Sequence, residues 1–410
     1  MKYNLISGHY KKSITSHPLY IMKTKYFFLY SLLLFISCSQ KNDIKNIYTN
    51  ENTSIINIQE DLKQISHLDS VFNDIKFLPL ETKEECLISH ISTLKINDSL
   101  IFINDNRRRL LIFGNDGKFK IQIGQWGEGP GEFLDLKDFI INKDNIEILD
   151  FKKIETYNFE GKHLNTKRFD LSDPEKYCNA DHFYHSPSEG YYLWGGTFGI
   201  KKFGAKYDRY MMYHVNNDFK IQKGYFLIEH GAGSSHNRFT KYKDKIIIDP
   251  HFGDYNIYQI DNKGIVSSRY FLNFGKNAYT KKIPIPKINQ RETYEDLSSY
   301  VVSFSDFFET DKWLHLTFRC QNTVFNALYN KEKEKCFLLS AANKNLKSDE
   351  IRYWGAYTEF QDQLVMPIEA NWLKIECDRL SPEYMKKINL NQYNDIKESD
   401  NPVLLFYKLK

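Results

Sequence analysis

Glu128 and Glu132 stand four residues apart in a stretch, residues 124–133, that also holds four glycines and a proline. Two carboxyls at close quarters can share acid–base work, one donating a proton while the other accepts one. Nothing nearby in the sequence supplies a partner that would pull their pKa values apart. Glu132 also has a structural use, because a carboxylate that accepts backbone N–H groups ties down a tight loop. The glycines do not form a phosphate cradle: no Lys-Ser or Lys-Thr follows, and the spacing is not that of a dinucleotide fingerprint. Glycine and proline at this density mark a corner between strands.

A second set consists of oxygen donors. Asp105, Asp150, Asp249 and Asn322 recur at equivalent places in the repeating unit described below, and hard oxygen ligands of this kind suit Ca²⁺. His182 and His185 are the one close pair of histidines. On a strand, positions three apart face opposite sides, which argues against a shared metal. The motifs of zinc peptidases and serine hydrolases do not occur, and no cofactor is expected. The remaining candidates are of recognition type: Arg107, Trp126, Trp194, His251, Arg319 and Trp372. Trp126 has an alternative role as a cap on the apolar edge between two sheets. Arg107 and its two neighbours have one as a solvated charge run.

The elements that must carry these residues are β-strands. With 410 residues, 41% apolar and 15% aromatic, including 28 Tyr and 30 Phe, the chain can bury a large core and favours strands. An internal period organises it. Residues 110–119 read as strand, Asp-Gly turn and strand, and residues 154–163 repeat this with Gly161 lying 44 positions after Gly117. Further copies fall at 210–219, 256–265 and 325–336. Such turns between alternating runs are strong hairpin signals. Two more apolar runs precede each hairpin, as at 91–96 and 100–105. Four short antiparallel strands recurring at this spacing predict the blades of a propeller.

Five hairpins give five blades. The chain ends on one strand, 401–410, and a spare strand, 74–80, precedes the first blade. Together they predict an all-β, six-bladed β-propeller with four-stranded antiparallel blades, the last closed by N- and C-terminal strands. Insertions are expected at 276–299 and 369–400, the second containing a helix that opens at Ser381-Pro382. Strand alternation places the second-to-third loops and the connectors between blades on one face. That rim gathers the recognition residues above.

The N-terminus differs in composition. Residues 1–37 have the basic and apolar regions of a secretory signal, with Met22 the expected initiator. Cys38 follows a small residue as in a lipobox, which marks it as a lipidation site, and 38–66 read as a flexible tether to a domain over 67–410. Removing 1–37 leaves 51 basic and 52 acidic side chains, a net charge of −1 in place of +4. A near-neutral chain gives no electrostatic reason to expect nucleic acid. Cys86, Cys178, Cys320, Cys336 and Cys377 are widely spaced and odd in number, the pattern of buried thiols rather than a disulfide framework.

The order of runs from 100 to 133 resembles the NHL repeat. The lipobox, the Leu-Pro-Leu-Glu-Thr opening at 78–82, the Gly-Pro-Gly-Glu-Phe loop at 129–133 and the Asp-Asn-Pro-Val-Leu ending at 400–404 together resemble the six-bladed β-propeller lipoproteins of bacterial envelopes. The resemblance implies an envelope address, facing the periplasm or exposed on the outer membrane. It assigns no activity. A non-catalytic module follows, monomeric, held to the membrane through Cys38 and binding a protein, peptide or glycan at its rim. The alternative is an enzyme of the six-bladed lactonase or lyase kind, with Ca²⁺ on Asp105, Asp150, Asp249 and Asn322.

Overall fold

The computed structural model describes residues 53–170, 180–195, 210–227, 237–249, 253–279, 297–340, 350–390 and 396–410. The leader, Cys38, Cys178, His251 and most of the 276–299 insertion lie outside the described residues.

Second strands set the architecture. Leu100–Asp105 and Ile146–Leu149 are buried along nearly their whole length. A strand packed on both faces needs a continuous apolar run, and the sequence supplies one in each unit. Around them six sheets of four antiparallel strands form. Blade one is Ile91–Ile96, Leu100–Asp105, Arg109–Gly114 and Phe119–Ile123; blade two is Asp138–Ile141, Ile146–Leu149, Lys153–Tyr157 and His163–Arg168. Blade three holds His182–Ser186 to Ile221–Leu227, blade four Phe239–Tyr242 to Val266–Asn273, and blade five Phe304–Glu309 to Lys335–Leu339. All five predicted hairpins join third to fourth strands.

Blade six closes the ring from both chain ends. Val403–Leu409 is its third strand, paired with Gln363–Ile368 on one side and Phe72–Pro79 on the other, with Phe77 opposite Leu405 and Ile75 opposite Tyr407. The Asn401 side chain accepts from the Ile88 N–H (2.8 Å) and donates to Glu81 and Cys86 carbonyls (2.7 and 2.9 Å), pinning the C-terminal strand to the first connector. Gly117 belongs to the same seam. A Cβ there would lie 2.2 Å from the Pro79 carbonyl oxygen, and its φ of +77° already favours glycine. The turn of blade one is therefore pressed onto blade six.

Strand structure begins among residues that the sequence assigns to the tether. Ser54–Asn57 lies parallel to Val266–Asn273 as a fifth strand on blade four, so these residues are no free spacer. Ile56 and Ile58 are buried among Leu272, Phe274 and Phe304. The belt then crosses to blade five, where the Ser66 N–H donates to the Leu338 carbonyl (2.7 Å), and reaches His67, 3.2 Å from Glu350. Ile55 beside Ile56 is exposed, so the isoleucines of this segment show no clean alternation, which is why composition misses the strand. Ile58→Ala is expected to cost about 2–5 kcal/mol in urea unfolding, as deletion of a buried core side chain does. A free-spacer residue would cost nothing.

The second insertion carries two helices, α1 (Ala370–Arg379) and α2 (Pro382–Lys387). In α2, Ser381 caps as expected, its hydroxyl accepting from the Tyr384 N–H at 3.2 Å. The sequence gives no sign of α1 because a glutamate occupies its buried stripe of Ala370, Leu373 and Glu376. Arg352 neutralises Glu376 at 2.9 Å.

One core histidine has a measurable consequence. His315 is buried, its Nδ1 3.0 Å from the Asp306 carbonyl and its Nε2 3.2 Å from the Tyr353 hydroxyl, a pattern that suits the neutral ring. Burial pushes its pKa down to about 4. Between that value and the unfolded pKa the unfolded chain binds the extra proton, so stability rises with pH. Burial acts oppositely on Glu359, raising it to about 7, so stability falls as pH rises from 4.5 to 7. The two slopes offset between about pH 4.5 and 6.5. His315→Gln should leave a profile that falls with pH across this window and Glu359→Gln one that rises, each changed by about 3 kcal/mol. Urea titrations at three pH values check both signs.

Candidate functional site

The rim face is built from the ends of second strands and the connectors that follow fourth strands. Its carboxylates serve the frame. Asp105 accepts from the Ser89 N–H (2.9 Å), the Ser89 hydroxyl (2.8 Å) and the His90 N–H (3.0 Å), and pairs with Arg109. Burial would raise its pKa, but these donors outweigh burial and hold it below the usual carboxylate range. Asp150 repeats the arrangement one blade on, accepting from the Leu134 and Asp135 N–H groups at 3.3 and 3.0 Å. The Asp249 N–H donates to the Arg238 carbonyl (3.2 Å) and the Arg238 guanidinium donates back to the Asp249 carbonyl (3.4 Å), while in blade five the Cys320 thiol ends the second strand, donating to the Ser299 carbonyl at 3.3 Å. The equivalence read from the sequence holds for Asp105, Asp150 and Asp249 but not for Asn322, which lies two residues past Cys320. In blades one, two and five a side chain at the end of the second strand latches it onto the preceding connector.

Asn322 is exposed and sits with Gln321 in a two-residue hairpin turn, both at positive φ, which asparagine tolerates. Among the described residues no group of three or more His, Cys, Asp or Glu side chains could hold a metal ion. His182 and His185 have separate partners, Asp138 at 3.5 Å and Glu147 at 3.0 Å.

Glu132 holds its loop together. One oxygen accepts from the Gly129 N–H and the other from the Gln125 amide, both at 2.8 Å. The Gly129 N–H is the larger cause of a pKa below the usual carboxylate value. From beneath, the buried Lys153 donates to the Gly129 carbonyl (3.0 Å) and pairs with the buried Glu155 (2.7 Å). A Cβ at Gly127 would fall 2.1 Å from the Glu132 carboxylate, so the loop closes only around glycine there. Glu128 points to solvent. The pair does not act as an acid–base couple, because one carboxylate is consumed by the loop.

What this bracing presents is Trp126, 66% exposed. It is not a cap between blades. Trp194, by contrast, is buried between the Arg238 guanidinium, 4.6 Å from its ring, and Phe226, 5.8 Å away. Its place at the end of a second strand puts it in the wall between blades three and four, so it leaves the set of rim residues. Arg107 is half-exposed and paired with Asp135 at 2.8 Å. Arg319 is exposed at the end of its strand, and Trp372 is 49% exposed on α1.

Trp354, 48% exposed, went unseen in the sequence. It lies on the connector from blade five to blade six, and noting that every connector maps to the rim would have found it. The Glu350 carbonyl meets Arg379, and Arg352 meets Glu376. The connector therefore runs antiparallel to α1, the helix that carries Trp372. Phe151, Leu87 and Ile375 are exposed on the same face.

Three blades are joined across their first strands by one carboxylate. Asp138 of blade two is buried, 2.9 Å from Lys95 of blade one and 3.5 Å from His182 of blade three. The sequence had not singled it out, since a charged residue opening an apolar run reads as a strand start.

The fold has a solved counterpart. A Bacteroides fragilis protein described as a candidate exported protein superposes with a TM-score of 0.67 at 18% identity, covering 87% of this chain and 99% of its own. BBS1N, solved in complex with ARL6DN, gives 0.36 at 8% identity over 82% of this chain and 98% of its own. PorZ of Porphyromonas gingivalis, a surface component of the type-IX secretion system, gives 0.32 at 10% identity over 65% and 29%. At these identities the likeness extends to fold alone, and the last two carry no argument. No curated protein matches the chain. No helix among the described residues is long and apolar enough to cross a membrane. A family profile described as 6-bladed beta-propeller matches residues 39–367, in agreement with the six blades. The chain belongs to that family of six-bladed β-propellers.

Proposed function

We propose that the protein is a non-catalytic binding module of the bacterial envelope, monomeric, tethered by lipid on Cys38 and related to the NHL-repeat lipoproteins. One observation carries the reading. Of five tryptophans, Trp194 and Trp313 are buried, while Trp126, Trp354 and Trp372 stand about half exposed or more, all on the rim face. Tryptophan is highly buried on average, and exposed clusters of it mark contact surfaces. A loop braced around Trp126 by Glu132 and Lys153 supplies rigidity, which lowers the entropy lost on binding.

Two further features agree. The leader at 1–37 matches an exported class, as in the Bacteroides fragilis counterpart. Ser54–Asn57 runs parallel to Val266–Asn273, whose own chain comes from the hairpin face, so the polypeptide enters the propeller from the face opposite the tryptophans. In a chain whose lipid tether is removed by Cys38→Ala, Trp126→Ala is expected to weaken retention on isolated envelope fractions at least tenfold, a hot-spot loss of about 1.4 kcal/mol or more. A change on the hairpin face, Lys118→Ala, should leave retention intact. Substrate turnover by the purified protein, abolished by a rim substitution, would overturn the reading.

A further inference from the structure

We propose that one internal water molecule is bound beneath the Trp126 loop, accepting a hydrogen bond from the Tyr157 hydroxyl and donating to the carboxylates of Glu155 and Glu132. The starting point is a buried donor. Tyr157 is 1% exposed, and its hydroxyl makes no hydrogen bond to any described residue. A buried phenol usually finds a partner, because an unmade hydrogen bond costs the full desolvation of the group. The hydroxyl lies close against the start of the loop. A Cβ at Gly124 would stand 2.8 Å from its oxygen, and Gly124 has a φ of +65° that favours glycine.

The surroundings are rich in acceptors. Lys153, Glu155 and Tyr157 alternate along the third strand of blade two, so all three share one face of the sheet. Burial first, and then the charges of Glu155, Glu132 and Asp150, push the Tyr157 pKa up, so the phenol keeps its proton and stays a donor. A carboxylate has about four acceptor sites. Glu155 uses three of them, on Lys153 at 2.7 Å, His163 at 2.8 Å and Thr166 at 2.6 Å. Glu132 uses two, on the Gly129 N–H and the Gln125 amide. Both therefore have a lone pair to spare. Tyr157 does not reach Glu155 directly, because two side chains leaving one strand in the same direction run parallel and the phenol is the longer. Water accepts and donates at once, so it can join groups that do not meet, and an internal water typically makes about three hydrogen bonds. A metal ion accepts no hydrogen bond, and among the described residues no group of three His, Cys, Asp or Glu side chains could hold one. The water would tie the third strand of blade two to the loop that presents Trp126, whatever binds there.

Tyr157→Phe in the full chain tests this, since it keeps the ring and deletes only the oxygen. Urea unfolding should show the unfolding equilibrium constant rising about two- to tenfold, the loss of a net hydrogen bond. Amide hydrogen exchange in a peptide covering 124–133 should quicken about threefold or more, while a peptide covering 325–336 in blade five keeps its wild-type rate. A high-resolution crystal structure of the wild-type protein should show a water within hydrogen-bond reach of Tyr157, Glu155 and Glu132. A Tyr157→Phe protein as stable as wild type, or more stable, overturns the inference, because deleting an unpaired hydroxyl costs nothing. So does a loss of stability with unchanged exchange at 124–133, which would detach the hydroxyl from the loop. A crystal structure in which Tyr157 bonds directly to a protein group overturns it whatever the stability.

Discussion

A chain ended at Pro402 is expected to lose cooperative folding altogether. The missing strand, Val403–Leu409, is the third of blade six, so its removal strips partners from Gln363–Ile368 and Phe72–Pro79 at once. Val403, Leu404, Leu405, Phe406, Tyr407 and Leu409 are all buried. At about 1.5–3 kcal/mol for each large apolar side chain, their burial contributes roughly 10 kcal/mol or more, as much as the whole net stability of a typical domain. The N-terminal strand would be left unpaired and the ring open, with two exposed edges. Near-UV circular dichroism and a thermal scan check this. A sharp transition at the wild-type midpoint would show that the ring does not need its clasp. A milder version, Leu405→Ala, should cost about 3 kcal/mol as a cavity mutation.

Asp138→Ala is expected to destabilise the protein by about 3–5 kcal/mol, the cost of leaving a buried charge without its partner. Asp138 also accepts from the Phe139 and Phe183 N–H groups, at 2.8 and 3.3 Å, so the change orphans donors in blades two and three besides Lys95. Lys95 would keep the Phe139 carbonyl and the Phe139 ring, 4.9 Å from its ammonium. The pH dependence has a definite sign. Burial acts to raise the Asp138 pKa, but Lys95 and His182 beside it prevail and hold it below the usual carboxylate range. Its contribution is therefore complete above the unfolded aspartate pKa, about 4, and is lost as pH falls through the lower folded value. Urea midpoints at neutral pH, with an unchanged m-value, should show the loss. Replacing Lys95→Met and Asp138→Leu together should cost less than Asp138→Ala alone, because no unpaired charge remains. An Asp138→Ala protein as stable as wild type would remove the carboxylate from the stitching of these three blades.

Much of the candidate site was legible as a face and little of it as chemistry. Strand alternation requires the second-to-third loops and the connectors to share one side, so Arg107, Trp126, Arg319 and Trp372 could be assigned together. Exposure could not be assigned that way. Trp194 and Trp126 both end strands near the rim, yet one is walled in by Arg238 and Phe226 and the other projects into solvent. The difference depends on what the neighbouring blade brings alongside. The aspartates show the same limit. Their spacing fits oxygen ligands for a metal, but Asp105 and Asp150 spend their lone pairs on backbone N–H groups fifteen or sixteen residues upstream.

The amino-acid order alone determines the blades. Each is a local object, four short runs of apolar periodicity joined by Asp-Gly or Asn-rich turns, and local periodicity is what a linear chain records. The count of six also follows from it, because one unit is split between the chain ends. Only the tertiary structure decides what surrounds a given side chain. The belt at Ser54–Asn57 and the triple stitch at Asp138 both join residues far apart in the chain. Contacts of that kind are energies between surfaces brought together by closure of the ring, and no window of neighbouring residues contains them.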